Sequence, residues 1–140
     1  ICYGYGIKAN TDWKQTLGSE WRQYEAIFPK LQQSAIDMVS LECHNSRVPM
    51  ELIELIRGKK VMVGAIDVAT HQIETPEQVA ETLHKALQFV DAENLYPCTN
   101  CGMAPLPRHV AQGKLSALAQ GAKLVRNDYL ATHQLDDLII

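Results

Sequence analysis

Residues 60–66 read Lys-Val-Met-Val-Gly-Ala-Ile, a run that is apolar at odd and even positions alike and too short for an ordinary helix. A strand buried on both faces accounts for such a run, and strands of that kind belong to parallel sheets covered by helices. Parallel neighbours need connections of roughly a dozen residues or more, usually helical. One such strand therefore commits its flanks to strand and helix in alternation.

The flanks comply. Leu17, Trp21, Tyr24, Phe28 and Leu31 recur at intervals of three and four, which predicts one helix over 16–31. Residues 1–7 and 36–41, the latter with Met38, Val39 and Leu41, read as strands. Pro49 is placed to open a helix that Gly58 ends. Thr75-Pro76-Glu77-Gln78 joins an N-cap Thr, a first-position Pro and a Gln three residues on, predicting a helix with Val79, Leu83, Ala86 and Val90 inward. Residues 95–98 make a short strand, and Ala111, Leu115, Leu118, Ala122 and Val125 mark the stripe of a last helix. The order is βαβαβαβα, four units in residues 1–126 at about 31 residues each, against the roughly 250 of an eight-unit barrel. The expected class is α/β, half of a (β/α)8 TIM-type barrel, with 127–140 as a tail of no assigned structure. A flavodoxin-like open sheet is the competing architecture, though Gly4-Tyr5-Gly6 lacks the G-x-G-x-x-G phosphate loop of dinucleotide-binding sheets.

Composition narrows the partners. Thirteen basic residues stand against sixteen acidic ones, for a net charge of -3, and no basic cluster exceeds Lys59-Lys60. No phosphate-tracking surface is expected, and so no nucleic acid. No apolar stretch approaches the roughly 20 residues of a membrane span, and no leader opens the chain, so the expectation is a cytoplasmic protein without membrane contact. Four cysteines without a leader suggest free thiols, metal ligands or redox chemistry. Starting at Ile1, inside an expected strand, the chain reads as a fragment whose N-terminal half is missing, or as one piece of a cleaved polypeptide.

In parallel sheets and barrels, function gathers at the C-terminal ends of the strands. The expected strands deliver Cys2, then Glu42-Cys43-His44, then Asp67, then Cys98-Thr99-Asn100-Cys101-Gly102. Zinc takes four ligands from Cys, His and carboxylate, and a catalytic site keeps one position for substrate. Cys2, Glu42 and Cys101 supply that mixture from three strands. Each also has a plainer use: Cys2 as a small buried apolar residue, and Cys98 with Cys101 as a self-contained C-x-x-C knuckle or redox pair. Pro105 and Pro107 delay the next helix, unlike a thioredoxin-type motif, which leaves Cys98 in the strand and Cys101 at the rim.

These residues resemble the cobalamin-independent methionine synthase family, and more closely its short single-barrel relatives. Ile1-Cys2 matches the end of that family's His-x-Cys, Ser40-Leu41-Glu42 its Glu strand, and Asn100-Cys101-Gly102-Met103 its Cys-Gly turn. The resemblance covers about residues 1–126 and implies the C-terminal half of the catalytic barrel. It further implies a zinc held by Cys2, Glu42 and Cys101 with a histidine just upstream, and S-methylation of homocysteine to methionine. Folate-using members carry a His two residues after the Asp at the third strand end. Here that position is Ala69, with His71 two further on as a weak substitute beside Asp67. The methyl donor is thus methyltetrahydrofolate or a methylcorrinoid. The alternatives are methylcorrinoid-dependent transfer to another thiol and a non-catalytic zinc or redox module using Cys98 and Cys101. His44 and Asn45 follow Glu42 as supporting or solvent-facing neighbours.

Overall fold

The computed structural model describes residues 1, 9, 12, 13 and 15–136. The strand expected over 1–7 falls, apart from Ile1, outside the described residues. Three strands, β1 (Met38–Glu42), β2 (Lys60–Gly64) and β3 (Leu95–Cys98), form a parallel sheet in the order β1-β2-β3. In register, Ser40 lies opposite Met62 and Met62 opposite Tyr96; Glu42 lies opposite Gly64 and Gly64 opposite Cys98.

Strand alternation divides these residues between two faces. Val39, Leu41, Val61 and Val63 share one, all buried, and join a single core with Leu52, Ile53 and Ile56 of the 3-10 helix Met50–Ile56. Val79, Leu83 and Ala86 of helix α2 (Pro76–Ala86) and Ala117 and Val125 of helix α3 (Arg108–Asp136) complete it. Each such valine or leucine contributes roughly 1.5–3 kcal/mol by leaving water. The opposite face carries Ser40, Met62 and Tyr96 in one row and Glu42, Gly64 and Cys98 in the next, so that small and polar residues gather at the strand ends beyond two larger side chains.

The helix expected over 16–31 is shortened and divided: residues 16–21 form turns and bends, with Gly18 at φ +75°, and helix begins at Arg22. A continuous α-helix would bring the Pro29 ring against the Glu25 carbonyl and lose a ladder hydrogen bond. The chain instead forms a 3-10 helix, Arg22–Ile27, and a short α1 (Phe28–Gln33) with Pro29 in its first turn. The apolar stripe still reaches the core through buried Phe28 and the partly buried Trp21, Tyr24 and Leu31. The expected helix after Pro49 is likewise 3-10, and Gly58 ends it at φ +90°. Strand 60–66 stops at Gly64, although Ala65 and Ile66 remain fully buried.

Helix α2 starts as its sequence predicts. The Thr75 hydroxyl accepts from the Gln78 N–H at 3.3 Å, and the Gln78 side-chain oxygen accepts from the Thr75 N–H at 2.9 Å. Helix α3 departs from expectation twice. It runs on through 127–136, where no structure was assigned. Its buried face is Val110, Lys114, Ala117, Gly121 and Val125, while Leu115 is 49% exposed. Of the expected stripe, Val125 is buried and Leu118 and Ala122 pack partly buried against the core, while Lys114 takes the buried place in the turn where Leu115 was expected. Among the described residues, no helix is long and apolar enough to cross a membrane.

Gly121 marks the closest approach of the two helices. A Cβ there would lie 2.5 Å from the Val79 Cβ and 2.7 Å from the Pro76 carbonyl oxygen. At Gly113 the nearest atom is the Ile73 Cδ1, also at 2.5 Å, but that is the mobile tip of a half-exposed side chain. Gly121→Ala is therefore expected to destabilise the full-length protein by about 1–3 kcal/mol despite alanine's better helix propensity. Gly113→Ala should be neutral or stabilising by up to about 1 kcal/mol. Denaturant unfolding of the two variants, compared with the unaltered protein, checks both signs.

Candidate active site at the strand ends

The three strand ends are sewn together by backbone and by one side chain. The N–H groups of Cys43 and His44 donate to the Gly64 carbonyl at 3.1 and 2.8 Å, and the Ala65 N–H donates to the Cys98 carbonyl at 2.8 Å. The Asn100 N–H donates to the Ile66 carbonyl at 2.9 Å. The buried Asn100 amide then bridges back to the chain after β1. Its Oδ1 accepts from the Cys43 N–H at 3.2 Å, and its Nδ2 donates to the His44 carbonyl at 2.8 Å. Gly64 leaves room for this bridge, since a Cβ there would stand 2.5 Å from the Asn100 Oδ1 and 2.8 Å from the Leu41 carbonyl oxygen.

Around the clamp lie the residues singled out as ligands. Glu42 ends β1 with 4% of its surface exposed, an expensive place for a carboxylate that has no structural or chemical use. Cys98 ends β3, and its Sγ lies 3.9 Å from the Ser40 Oγ. Cys101 follows in the loop, where its carbonyl accepts from the Thr99 hydroxyl at 2.8 Å. Cys98 and Cys101 line one shallow cavity of about 360 Å³ together with Ile1, Ser40 and Met62. The Ile1 nitrogen donates to the Ser40 carbonyl, which brings the start of the chain alongside β1. Cys2 lies outside the described residues. Among the described residues, no three His, Cys, Asp or Glu side chains gather into a metal cage. Glu42 and Cys101 are the part of the expected ligand set that can be located.

The other two thiols are poor nucleophiles as they stand. Burial, with a smaller push from the Cys98 thiol, raises Cys43 to about 12, so it is protonated near neutrality. Burial also raises Cys98, against a lowering by the Ser40 hydroxyl.

Asp67, just past β2, is held on every side. Its N–H donates to the Glu74 Oε1 at 2.9 Å, its Oδ1 accepts from the Ala69 N–H at 2.8 Å, and its Oδ2 accepts from the Asn45 Nδ2 at 3.1 Å. Among the described residues, Asn45, at φ 56°, is the non-glycine residue in the left-handed region. His71 is exposed in the loop that leads to α2. His44 turns toward α2, its Nδ1 3.0 Å from the Thr82 Oγ1, so it is a tethered residue rather than a solvated one. The Thr82 hydroxyl donates to the Gln78 carbonyl at 3.2 Å, which leaves the His44 Nδ1 as the donor to Thr82.

Asn100, Thr82, Glu74 and Lys114 carry roles that the sequence pattern did not reveal. Asn100 sat inside the C-x-x-C segment, where the thiols drew attention. Lys114 did leave a signal, a lone cation at helical spacing within an otherwise small and apolar stripe.

An α/β domain with parallel strands and a polar constellation at their C-terminal ends defines an enzyme-like scaffold. The family described as "Cobalamin-independent synthase, Catalytic domain" matches residues 9–124, and the chain belongs to it. The methionine synthase of Sulfurisphaera tokodaii is 32% identical over 108 residues, 76% of this chain and 31% of that protein. The 2-hydroxypropyl-CoM lyase of Xanthobacter autotrophicus is 30% identical over 116 residues, 78% of this chain and 31% of that one. A solved structure, a B12-independent methionine synthase from Shewanella sp. W3-18-1 in complex with selenomethionine, superposes with a TM-score of 0.88 at 76% identity. That match covers 94% of this chain and 38% of the other. The chain thus spans about a third of the length of its curated relatives.

The clamp is directly testable. Asn100→Ala takes the donor from the His44 carbonyl and leaves the Cys43 N–H with the Gly64 carbonyl alone, and should destabilise by roughly 1–3 kcal/mol, the cost of one buried group without a partner. Gly64→Ala forces the same amide aside and should approach that loss while leaving Asn100 in place. Chemical denaturation of both variants reads the effect; stability equal to the unaltered protein would remove the clamp from the account.

Proposed function

We propose that residues 1–126 are the C-terminal half, four βα units, of a (β/α)8 barrel, with 127–140 as a C-terminal extension. In this reading the whole protein is a cytoplasmic, zinc-dependent methyltransferase that converts homocysteine to methionine. The observation that carries it is Glu42, a carboxylate buried at the C-terminal end of a parallel strand and tied through Asn100 to the loop that bears Cys101. The sheet face opposite the helices, with Met62 and Tyr96 below and Glu42, Gly64 and Cys98 at the strand ends, suits the inside of a barrel that the N-terminal half would close.

Carboxylate and thiolate are donor types that zinc accepts, and Cys2, Glu42 and Cys101 would hold it with one further ligand upstream of Ile1. Zinc bound there supplies the Lewis acidity that lets a thiol react as thiolate near neutral pH. Glu42, a harder donor than the cysteines, is the ligand expected to yield most readily. The Asn100 clamp fixes the backbone on which Glu42 and Cys101 stand. Asp67, with its carboxylate oriented by Ala69 and Asn45, is the strand-end group placed to govern a proton, and His71 on the neighbouring loop is the weaker candidate.

The methyl donor is methyltetrahydrofolate or a methylcorrinoid. Ala69, where folate-using members of the family carry histidine, favours keeping a second reading, methylcorrinoid-dependent transfer to another thiol. Full-length protein assayed on homocysteine with each donor separates the two. Bound zinc and activity should fall together in Cys2→Ser and Cys101→Ser, activity by roughly a hundredfold or more, beyond the loss typical of an outer-shell change. Cys98→Ser should keep its zinc. Zinc retained in Cys2→Ser and lost in Cys98→Ser would instead indicate a self-contained Cys98–Cys101 module.

A further inference from the structure

Lys114 is the most conspicuous charge in the molecule that the proposed chemistry leaves unused. It is fully buried in the second turn of α3, and its ammonium lies 2.9 and 3.1 Å from the two oxygens of Glu74, itself 6% exposed. The third donor of the ammonium goes to the Gln72 carbonyl, so none of the three is wasted. Glu74 Oε1 also accepts the Asp67 N–H. We infer that Lys114 is a positioning residue for the strand-end Asp67, acting through Glu74.

The contacts run without a break from the last helix to the rim. Lys114 fixes Glu74 and Gln72, Glu74 fixes the Asp67 backbone, and the Asp67 carboxylate holds the Asn45 amide in the loop after β1. Packing alone has no need of a cation here. Buried ion pairs can often be replaced by apolar residues of like volume with no loss of stability, whereas removing one partner strands a charge. What an apolar pair cannot supply is a directed acceptor for the Asp67 N–H. The inference rests on the reading of Asp67 as a working residue of the proposed site.

The apolar pair Glu74→Leu/Lys114→Met, made in the full-length protein, separates positioning from stability. Its melting temperature should fall only by the small amount that loss of the Asp67 N–H and Gln72 carbonyl contacts at the half-exposed loop entails, while kcat for methyl transfer to homocysteine falls roughly ten- to a hundredfold, the scale of a small misplacement. Adding Asp67→Asn to the pair should cost nothing beyond Asp67→Asn alone, because Lys114 acts through that residue. Unchanged kcat in the pair, or losses that multiply with Asp67→Asn, would overturn the inference.

Amide hydrogen exchange supplies a readout independent of activity. In the unaltered protein the Asp67 amide should be protected like β2, and in the pair it should exchange far faster while β2 and α2 hold. Equal protection in both proteins overturns the inference. If the unaltered protein transfers no methyl group to homocysteine, or Asp67→Asn leaves kcat unchanged, it is the functional reading that fails, and exchange alone judges the role of Lys114. Should the pair not fold, the unaltered protein decides: protection like β2 supports the inference, and rapid exchange of the Asp67 amide overturns it.

Discussion

One buried amide holds the working end of this domain together. Asn100 follows β3, yet its side chain is spent on the chain after β1, receiving the Cys43 N–H and donating to the His44 carbonyl. Its own N–H is spent on the segment after β2, at Ile66. Beside the backbone hydrogen bonds that join neighbouring strand ends, this one residue reaches the segments after all three strands, in a space that exists because Gly64 has no side chain. Glu42 on one side and Cys101 on the other inherit their relative placement from it. A polar group so fully engaged in a water-poor place resists displacement, because each group it leaves behind loses both partner and solvent.

A second polar contact performs the same service one layer out. The Lys114–Glu74 pair joins the last helix to the loop after β2, and through Asp67 to the loop after β1. The apolar core builds the sheet and its helices, while these two polar contacts decide where the loops at the strand ends stand. Domain and site are in that sense specified by different residues. Helix packing tolerates conservative apolar exchange, whereas the loops depend on particular acceptors and donors.

That division explains what could be read from the sequence. Residues 60–66 announced a parallel strand because after Lys60 at its edge no polar position interrupts them, and Thr75 with Gln78 announced a helix start because the capping box is local chemistry. The helix over 16–31 failed at Pro29, where apolar spacing was weighed without the clash that proline imposes on the carbonyl four residues back. The stripe of α3 holds at Leu118, Ala122 and Val125 and fails at Leu115, whose neighbour Lys114 is buried instead against a glutamate forty residues away in the chain. No single-sequence pattern reveals such a partner. Asn100 was hidden in the same way: its hydrogen bonds reach residues more than fifty positions distant. Glu42, Cys98 and Cys101 could be placed in advance because a strand end is a property of the local pattern.

The central claim is that Glu42 and Cys101 serve one zinc together with Cys2. Zinc-edge X-ray absorption on the full-length protein, with and without homocysteine, tests it most directly. The account predicts two sulfur neighbours at about 2.3 Å in the resting protein, a third when homocysteine is added, and one fewer in Cys101→Ser. A sulfur count unmoved by homocysteine, or one that falls in Cys98→Ser and not in Cys101→Ser, would contradict it.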